Sequence, residues 1–156
     1  LWDSRQEAAM EATSEQLTAV LDQAEAGNLD SASNAAAKLA AGSEGGAKAA
    51  ALLTQAGIAM DRGRTADAVK IYAQVAADSA TPPALRDLAS IREVAASFDT
   101  RSPADVIARL EPLAVPTNPW FGSAGELVAM AYLEQGNRKR AGALFGEIAR
   151  SDDVPD

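Results

Sequence analysis

The sequence predicts an all-α fold, organised as a stack of about four helical hairpins. Alanine supplies much of the 47% apolar fraction, and aromatic residues make up only 4% of the chain. Alanine is the best helix former, and its small side chain lets helices approach closely. The sequence lacks the branched aliphatic runs that are typical of buried parallel strands. The third observation behind the prediction is an internal repeat with helix–turn–helix character.

The repeat is clearest in "RGRTADAVKIYAQVA" at 62–76 and "QGNRKRAGALFGEIA" at 135–149. Each has a glycine, an alanine five residues later, a ring nine residues later, and then a β-branched residue followed by alanine. A weaker copy near residue 30 has alanine in place of the ring. The matched positions are Gly27, Ala32, Ala36, Leu39 and Ala40; Gly63, Ala68, Tyr72, Val75 and Ala76; and Gly136, Ala141, Phe145, Ile148 and Ala149.

The spacing of these copies defines the architecture. Gly27 and Gly63 are 36 residues apart, and Gly63 and Gly136 are 73 apart, about two such steps. The intervening copy is expected near residue 100, with Arg101 in the place of the turn glycine. A helix–turn–helix unit of about 34 residues is the tetratricopeptide pattern. One hairpin cannot bury its apolar face alone, so we expect a tetratricopeptide-like α–α superhelix.

Breaker residues divide the chain into eight predicted helices within a single domain, 1–156. An N-terminal helix, 3–26, precedes hairpin repeats over about 27–156. "GSEGG" at 42–46, "SATPPA" at 79–84 and "VPTNP" at 115–119 separate helices, and the three repeat glycines provide the positive φ of tight turns. The predicted helices are 3–26, 31–41, 47–61, 66–78, 84–98, 103–114, 119–135 and 138–150.

Capping residues refine these limits. Asp30 or Ser31 is expected to cap the second helix, and Thr65 the fourth. Ser102 followed by Pro103 is an N-terminal signature for the sixth helix. Pro112 must end or kink that helix because proline removes a backbone donor.

Net charge and residue usage exclude several function classes. A net charge of −8 repels phosphate backbones and anionic lipid, so nucleic-acid binding is not expected. Without cysteine and histidine there are no thiol nucleophiles and no thiolate or imidazole metal ligands. The sequence has no apolar run of about 18 residues that would span a membrane.

Catalytic residues are not evident. Two carboxylate pairs, Asp22 with Glu25 and Asp152 with Asp153, lie in polar sequence and are interpreted as solvated. Acid–base catalysis needs a carboxylate in a pocket with a shifted pKa. Ser43 and Lys48 form a possible Ser–Lys pair, but no strained nucleophile turn surrounds them. We therefore expect no enzymatic activity, no cofactor and no metal.

Partner binding is expected along the concave face formed by first helices at about 47–61, 84–98 and 119–135. Small side chains there would leave backbone-width grooves, although the same alanines would also suit helix packing. Trp120 is either a core residue or an exposed binding hot spot. Arg138, Lys139 and Arg140 form either a solvated turn or a contact for an acidic partner. The candidate partner-binding residues are Ala49, Ala56, Ala59, Ala89, Ala129 and Trp120.

Four segments in order carry a family resemblance. They are "GRTADAVKIYAQVAAD" (63–78), "LRDLASIREV" (85–94), "RLEPLAVPTNPW" (109–120) and "SAGELVAMAYLEQGNRKRAGALFGEIARSDDVP" (123–155). Together they resemble the bacterial tetratricopeptide-like family of ancillary SecYEG translocon subunits.

The resemblance implies a non-enzymatic domain on the periplasmic face of the bacterial inner membrane. It implies a transmembrane anchor, removed upstream of Leu1, with Trp2 at the membrane interface. It also implies translocon subunits and an anchored, prolyl-isomerase-like periplasmic chaperone as partners. The alternative is a self-assembling structural module that forms a homo-oligomer through helix 3–26 or the C-terminal end.

Overall fold

A computed structural model describes residues 2–152 of the chain, without the side chains of Trp2, Asp3, Gln6, Ala9, Met10 and Asp152. Two predictions lie outside the described residues and side chains: the interfacial position of the Trp2 side chain and the Asp152–Asp153 pair.

The described residues fold into eight α-helices without strands, which confirms the all-α prediction. Adjacent helices pack in pairs, as a stack of helical hairpins requires. Each predicted helix is present with its ends within about three residues, apart from the sixth, which ends early at Leu110. The helices are α1 (Trp2–Glu25), α2 (Leu29–Ala41), α3 (Gly45–Asp61), α4 (Thr65–Ala77), α5 (Pro83–Ala96), α6 (Pro103–Leu110), α7 (Phe121–Glu134) and α8 (Arg138–Asp152).

The chain divides into two compact units, a first unit of Leu1–Ala89 and a second unit of Ser90–Asp156. In the first unit, α1 packs on α2, α2 on α3, and α3 on α4. One core group there contains Tyr72, and another joins Val20 of α1 to Ile58 of α3. In the second unit, α7 packs between α6 and α8, over a core that contains Val94, Leu110 and Val128.

Three hairpin turns share one hydrogen-bonding scheme. The turn glycines Gly27, Gly63 and Gly136 have φ values of 87°, 72° and 76°, which confirms the expected left-handed backbone. Each glycine N–H bonds the carbonyl three residues back, and the next N–H bonds the carbonyl five back, at 2.8–3.0 Å. This is the Schellman arrangement, which satisfies the last carbonyls of the first helix. The alanine five residues after each glycine is fully buried in all three copies.

The fourth turn is built differently. The backbone of Arg101 is extended, with φ −101° and ψ 148°, and a short 3-10 turn at Phe98–Thr100 precedes it. Ion pairs from Arg101 to Glu93 and Asp105 hold the segment. At Glu111–Leu113 a second 3-10 turn replaces the predicted last turn of α6, because Pro112 cannot continue the helix.

One predicted cap is confirmed and two are wrong. The Ser102 hydroxyl accepts the Asp105 N–H at 3.1 Å, with Pro103 in the first turn of α6. The Asp30 or Ser31 cap fails because α2 already begins at Leu29. Thr65 is itself the first residue of α4 and does not cap it. In both cases the next helix begins two residues after the turn glycine, so the predicted capping residues lie inside the helix.

Replacing Gly63 with alanine tests the turn. An L-residue at φ 72° is strained, so we expect a loss of about 1–2 kcal/mol in the free energy of unfolding. Gly57, within α3, has open space around its missing Cβ and serves as the matched control. Gly57→Ala should instead stabilise by up to about 1 kcal/mol. Urea unfolding measures both, and changes of the same sign would contradict the assignment.

Candidate functional site

The candidate partner-binding alanines lie mostly in the interior. Ala49, Ala56 and Ala89 belong to the core group around Tyr72 and are at most 1% exposed. Ala129 of α7 is also fully buried, whereas Ala59 is half-buried. A partner would contact the four buried side chains only if helices separated. Their placement matches the helix-packing alternative.

Trp120 lies at the start of α7 and is half-buried. It packs against the core of the second unit, and its backbone N–H donates to Asn118 Oδ1 at 2.8 Å. Asn118 therefore fixes the entry to α7. The ring's contacts correspond to the core-residue alternative.

A cleft beside the α3–α4 turn of the first unit brings several cations together. It has a volume of about 340 Å³ and receives side chains from α2, α3 and α4. Three of the chain's 14 lysine and arginine residues line it, with one carboxylate. We call it the basic cleft, and its lining is Ser33, Gln55, Ala59, Arg62, Arg64, Asp67, Lys70 and Ile71.

The cations of the basic cleft differ in their pairing. Arg62, whose side chain is 17% exposed, forms an ion pair with Asp30. Arg64 and Lys70 are exposed, and neither forms an ion pair within the described residues. Asp67 is the one carboxylate in the lining of the basic cleft. The basic cleft is thus locally positive in a chain with net charge −8, and it can attract anionic groups.

Two large apolar side chains are exposed at equivalent repeat positions. Met60 and Leu133 each lie three residues before a turn glycine and are 37% and 48% exposed. Their carbonyls accept the N–H of Gly63 at 3.0 Å and of Gly136 at 2.9 Å, so they occupy the same place in the Schellman turn. Neither residue is among the binding residues predicted from the sequence. The signal in the sequence is a large apolar residue three positions before the turn glycine in both of these repeat copies.

A second cleft, of about 240 Å³, lies in the second unit beside Tyr132. The Tyr132 hydroxyl donates to Glu111 Oε2 at 2.9 Å and accepts from Arg140 Nη1 at 3.3 Å, and the guanidinium lies 5.4 Å from the ring centroid. Burial and the hydrogen bond to Glu111 raise the pKa of Tyr132 above its ordinary value. The hydroxyl therefore stays a donor at neutral pH. Arg138, Lys139 and Arg140 are all exposed, and Arg140 also contacts Tyr132.

The remaining candidates from the sequence are the Asp22–Glu25 pair and the Ser43–Lys48 pair. Asp22 and Glu25 are exposed on α1. Among the described side chains, no hydrogen bond joins Ser43 to Lys48, and no cluster of three or more acidic side chains could hold a metal ion. None of the helices in this range is both long and apolar enough to cross a bilayer. No family model matches the chain, and no curated protein or solved structure is significantly similar to it.

Proposed function

We propose that this chain is a non-enzymatic protein-interaction scaffold, a tetratricopeptide-like adaptor that docks segments of other proteins. One observation carries the proposal: two equivalent hairpin turns each combine an exposed large apolar side chain with one or two exposed cations that form no ion pair within the described residues. Met60 shares its turn with Arg64, and Leu133 shares its turn with Arg138 and Lys139.

This combination suits recognition of a protein segment. An exposed aliphatic side chain gains free energy when a partner covers it, at roughly 25 cal/mol per Å² of apolar surface. Neighbouring charges add specificity and faster association more than affinity. One such turn lies in each unit, so each unit offers its own docking surface.

The family resemblance supports a specific setting for this scaffold. The proposed setting is the periplasmic face of the bacterial inner membrane, with a transmembrane anchor that tethers the helical domain. The proposed partners are translocon subunits and an anchored periplasmic chaperone. The support is sequence likeness, which is densest over 63–155.

Crosslinking in the native membrane, with partners identified by mass spectrometry, tests the proposal. Wild-type protein should capture translocon subunits or an anchored chaperone. The double variant Met60→Ser, Leu133→Ser should capture them at least several-fold less, because both apolar contacts are lost. Val115→Ser is the control, since Val115 is 40% exposed and lies outside the hairpin turns.

Two results would reject the scaffold as proposed. Equal capture by wild type and the double variant would exclude the turns as docking surfaces. Capture of the chain alone would favour the self-assembling module instead.

A further inference from the structure

We propose that the basic cleft of the first unit binds the acidic side chains of a partner segment, with Arg64 and Lys70 as carboxylate-binding residues. The inference rests on the proposed scaffold function and names the class of segment that this turn accepts. Three features of the basic cleft support the inference: its charges, its lining and its fixed backbone.

The charges of the lining favour an anionic ligand. Asp30 already neutralises Arg62 through their ion pair, so the charges left for a ligand are those of Arg64, Lys70 and Asp67. Two cations against one carboxylate leave a positive site. A carboxylate that binds both cations would form charge-assisted hydrogen bonds, which are roughly twice as strong as neutral ones.

The rest of the lining suits a glutamate or aspartate side chain. Ala59 and Ile71 are half-buried and offer apolar contact to its methylene groups. Ser33 and Gln55 supply neutral hydrogen-bonding groups on the α2 and α3 walls. A volume of about 340 Å³ has room for a few side chains.

The carboxylates around the basic cleft disfavour the binding of an extended polyanion. Asp30, Asp61 and Asp67 are exposed in and around this turn, and the chain as a whole carries −8. A nucleic acid backbone would bring its neighbouring phosphates against these carboxylates. A short acidic stretch of protein, with apolar residues beside it, avoids that repulsion and can also cover Met60.

The backbone beneath the cleft is fixed before a ligand arrives. The Arg64 N–H donates to the Ala59 carbonyl at 2.8 Å, and the Arg64 carbonyl accepts the Ala68 N–H at 3.1 Å. Arg62 is held by Asp30. A partner therefore has to order the Arg64 and Lys70 side chains but not the turn, which reduces the entropic cost of binding.

Fluorescence anisotropy with two labelled peptides tests the inference on the whole chain. One peptide alternates glutamate pairs with leucine, and the other carries glutamine in place of each glutamate. The glutamate peptide should bind roughly tenfold more tightly, and its binding should weaken from low to physiological salt. The double variant Arg64→Gln, Lys70→Gln should remove that advantage.

Lys38→Gln is the matched control, because Lys38 is exposed in the same unit but lies on α2 outside the basic cleft. It should change binding of the glutamate peptide less than about twofold. Equal binding of both peptides would overturn the inference, as would an equal loss in Lys38→Gln. Tighter binding of a single-stranded oligonucleotide than of the glutamate peptide would also overturn it. The Met60 and Leu133 crosslinking result is independent of these outcomes, so the scaffold and the acidic site can fail separately.

Discussion

Replacing Tyr72 with alanine is expected to lower the free energy of unfolding of the first unit by about 4 kcal/mol. Tyr72 is 4% exposed and belongs to a core group in which four of the six other buried members are alanine. The methyl side chains of the alanine neighbours are too short to fill the vacated space, so a cavity should remain. The buried neighbours are Ala49, Leu53, Ala56, Ala68, Val75 and Ala89.

Phe145 provides the matched control, because it occupies the equivalent repeat position in α8. It is 38% exposed, so Phe145→Ala should cost only about 1 kcal/mol. Urea unfolding followed by circular dichroism measures both variants. Similar losses would show that the ring position has the same energetic role in both hairpins, contrary to the burial.

The fold was predictable because its determinants are local. Gly63 and Gly136 mark turns that need positive φ, and an alanine five residues later marks the closest approach of the second helix. Both requirements are met within one hairpin, so the spacing of residue types was sufficient. The fourth copy, with Arg101 for glycine, needed the structure, since its turn depends on an ion pair to a residue on the preceding helix.

The candidate binding residues were harder to predict from the sequence. Small side chains are required both by a groove that admits a partner and by two helices in close contact, so Ala49 and Ala129 fit either interpretation. Burial separates the two cases, and burial depends on which helices become neighbours. The basic cleft was hard to predict for the same reason, because its lining residues Ser33 and Lys70 come from different helices. Only the packing of α2, α3 and α4 places them together.

A buried carboxylate at the α5–α6 junction is the second feature with a large expected effect. The side chain of Glu93 is 9% exposed and accepts from Arg101 at 2.6 Å and from Arg109 at 3.0 Å. Its hydrogen bond holds the pKa of Arg109 above the ordinary value. Ser97 adds a further contact, since its hydroxyl donates to the Glu93 carbonyl and accepts from Arg101 Nε. Glu93 thus joins α5 to α6 at the one repeat turn that has no glycine.

Glu93→Ala should destabilise the second unit by about 2–3 kcal/mol. Removing the central charge of a buried ion pair costs about 3–5 kcal/mol when both partners are buried. The side chains of Arg101 and Arg109 are 19% and 33% exposed, so water compensates part of that loss. Glu93→Gln, which keeps the volume but removes the charge, should cost less.

Asp105→Asn is the control for Glu93→Ala. Asp105 also pairs with Arg101, at 2.8 Å, but its side chain is 45% exposed, so its loss should cost less than about 0.5 kcal/mol. Thermal unfolding of both variants gives the comparison. Equal destabilisation would mean that Arg101 acts through its surface pair with Asp105. A large effect confined to Glu93 would assign the stability of this turn to the buried carboxylate, which holds two helices in place of the glycine turn used elsewhere in the chain.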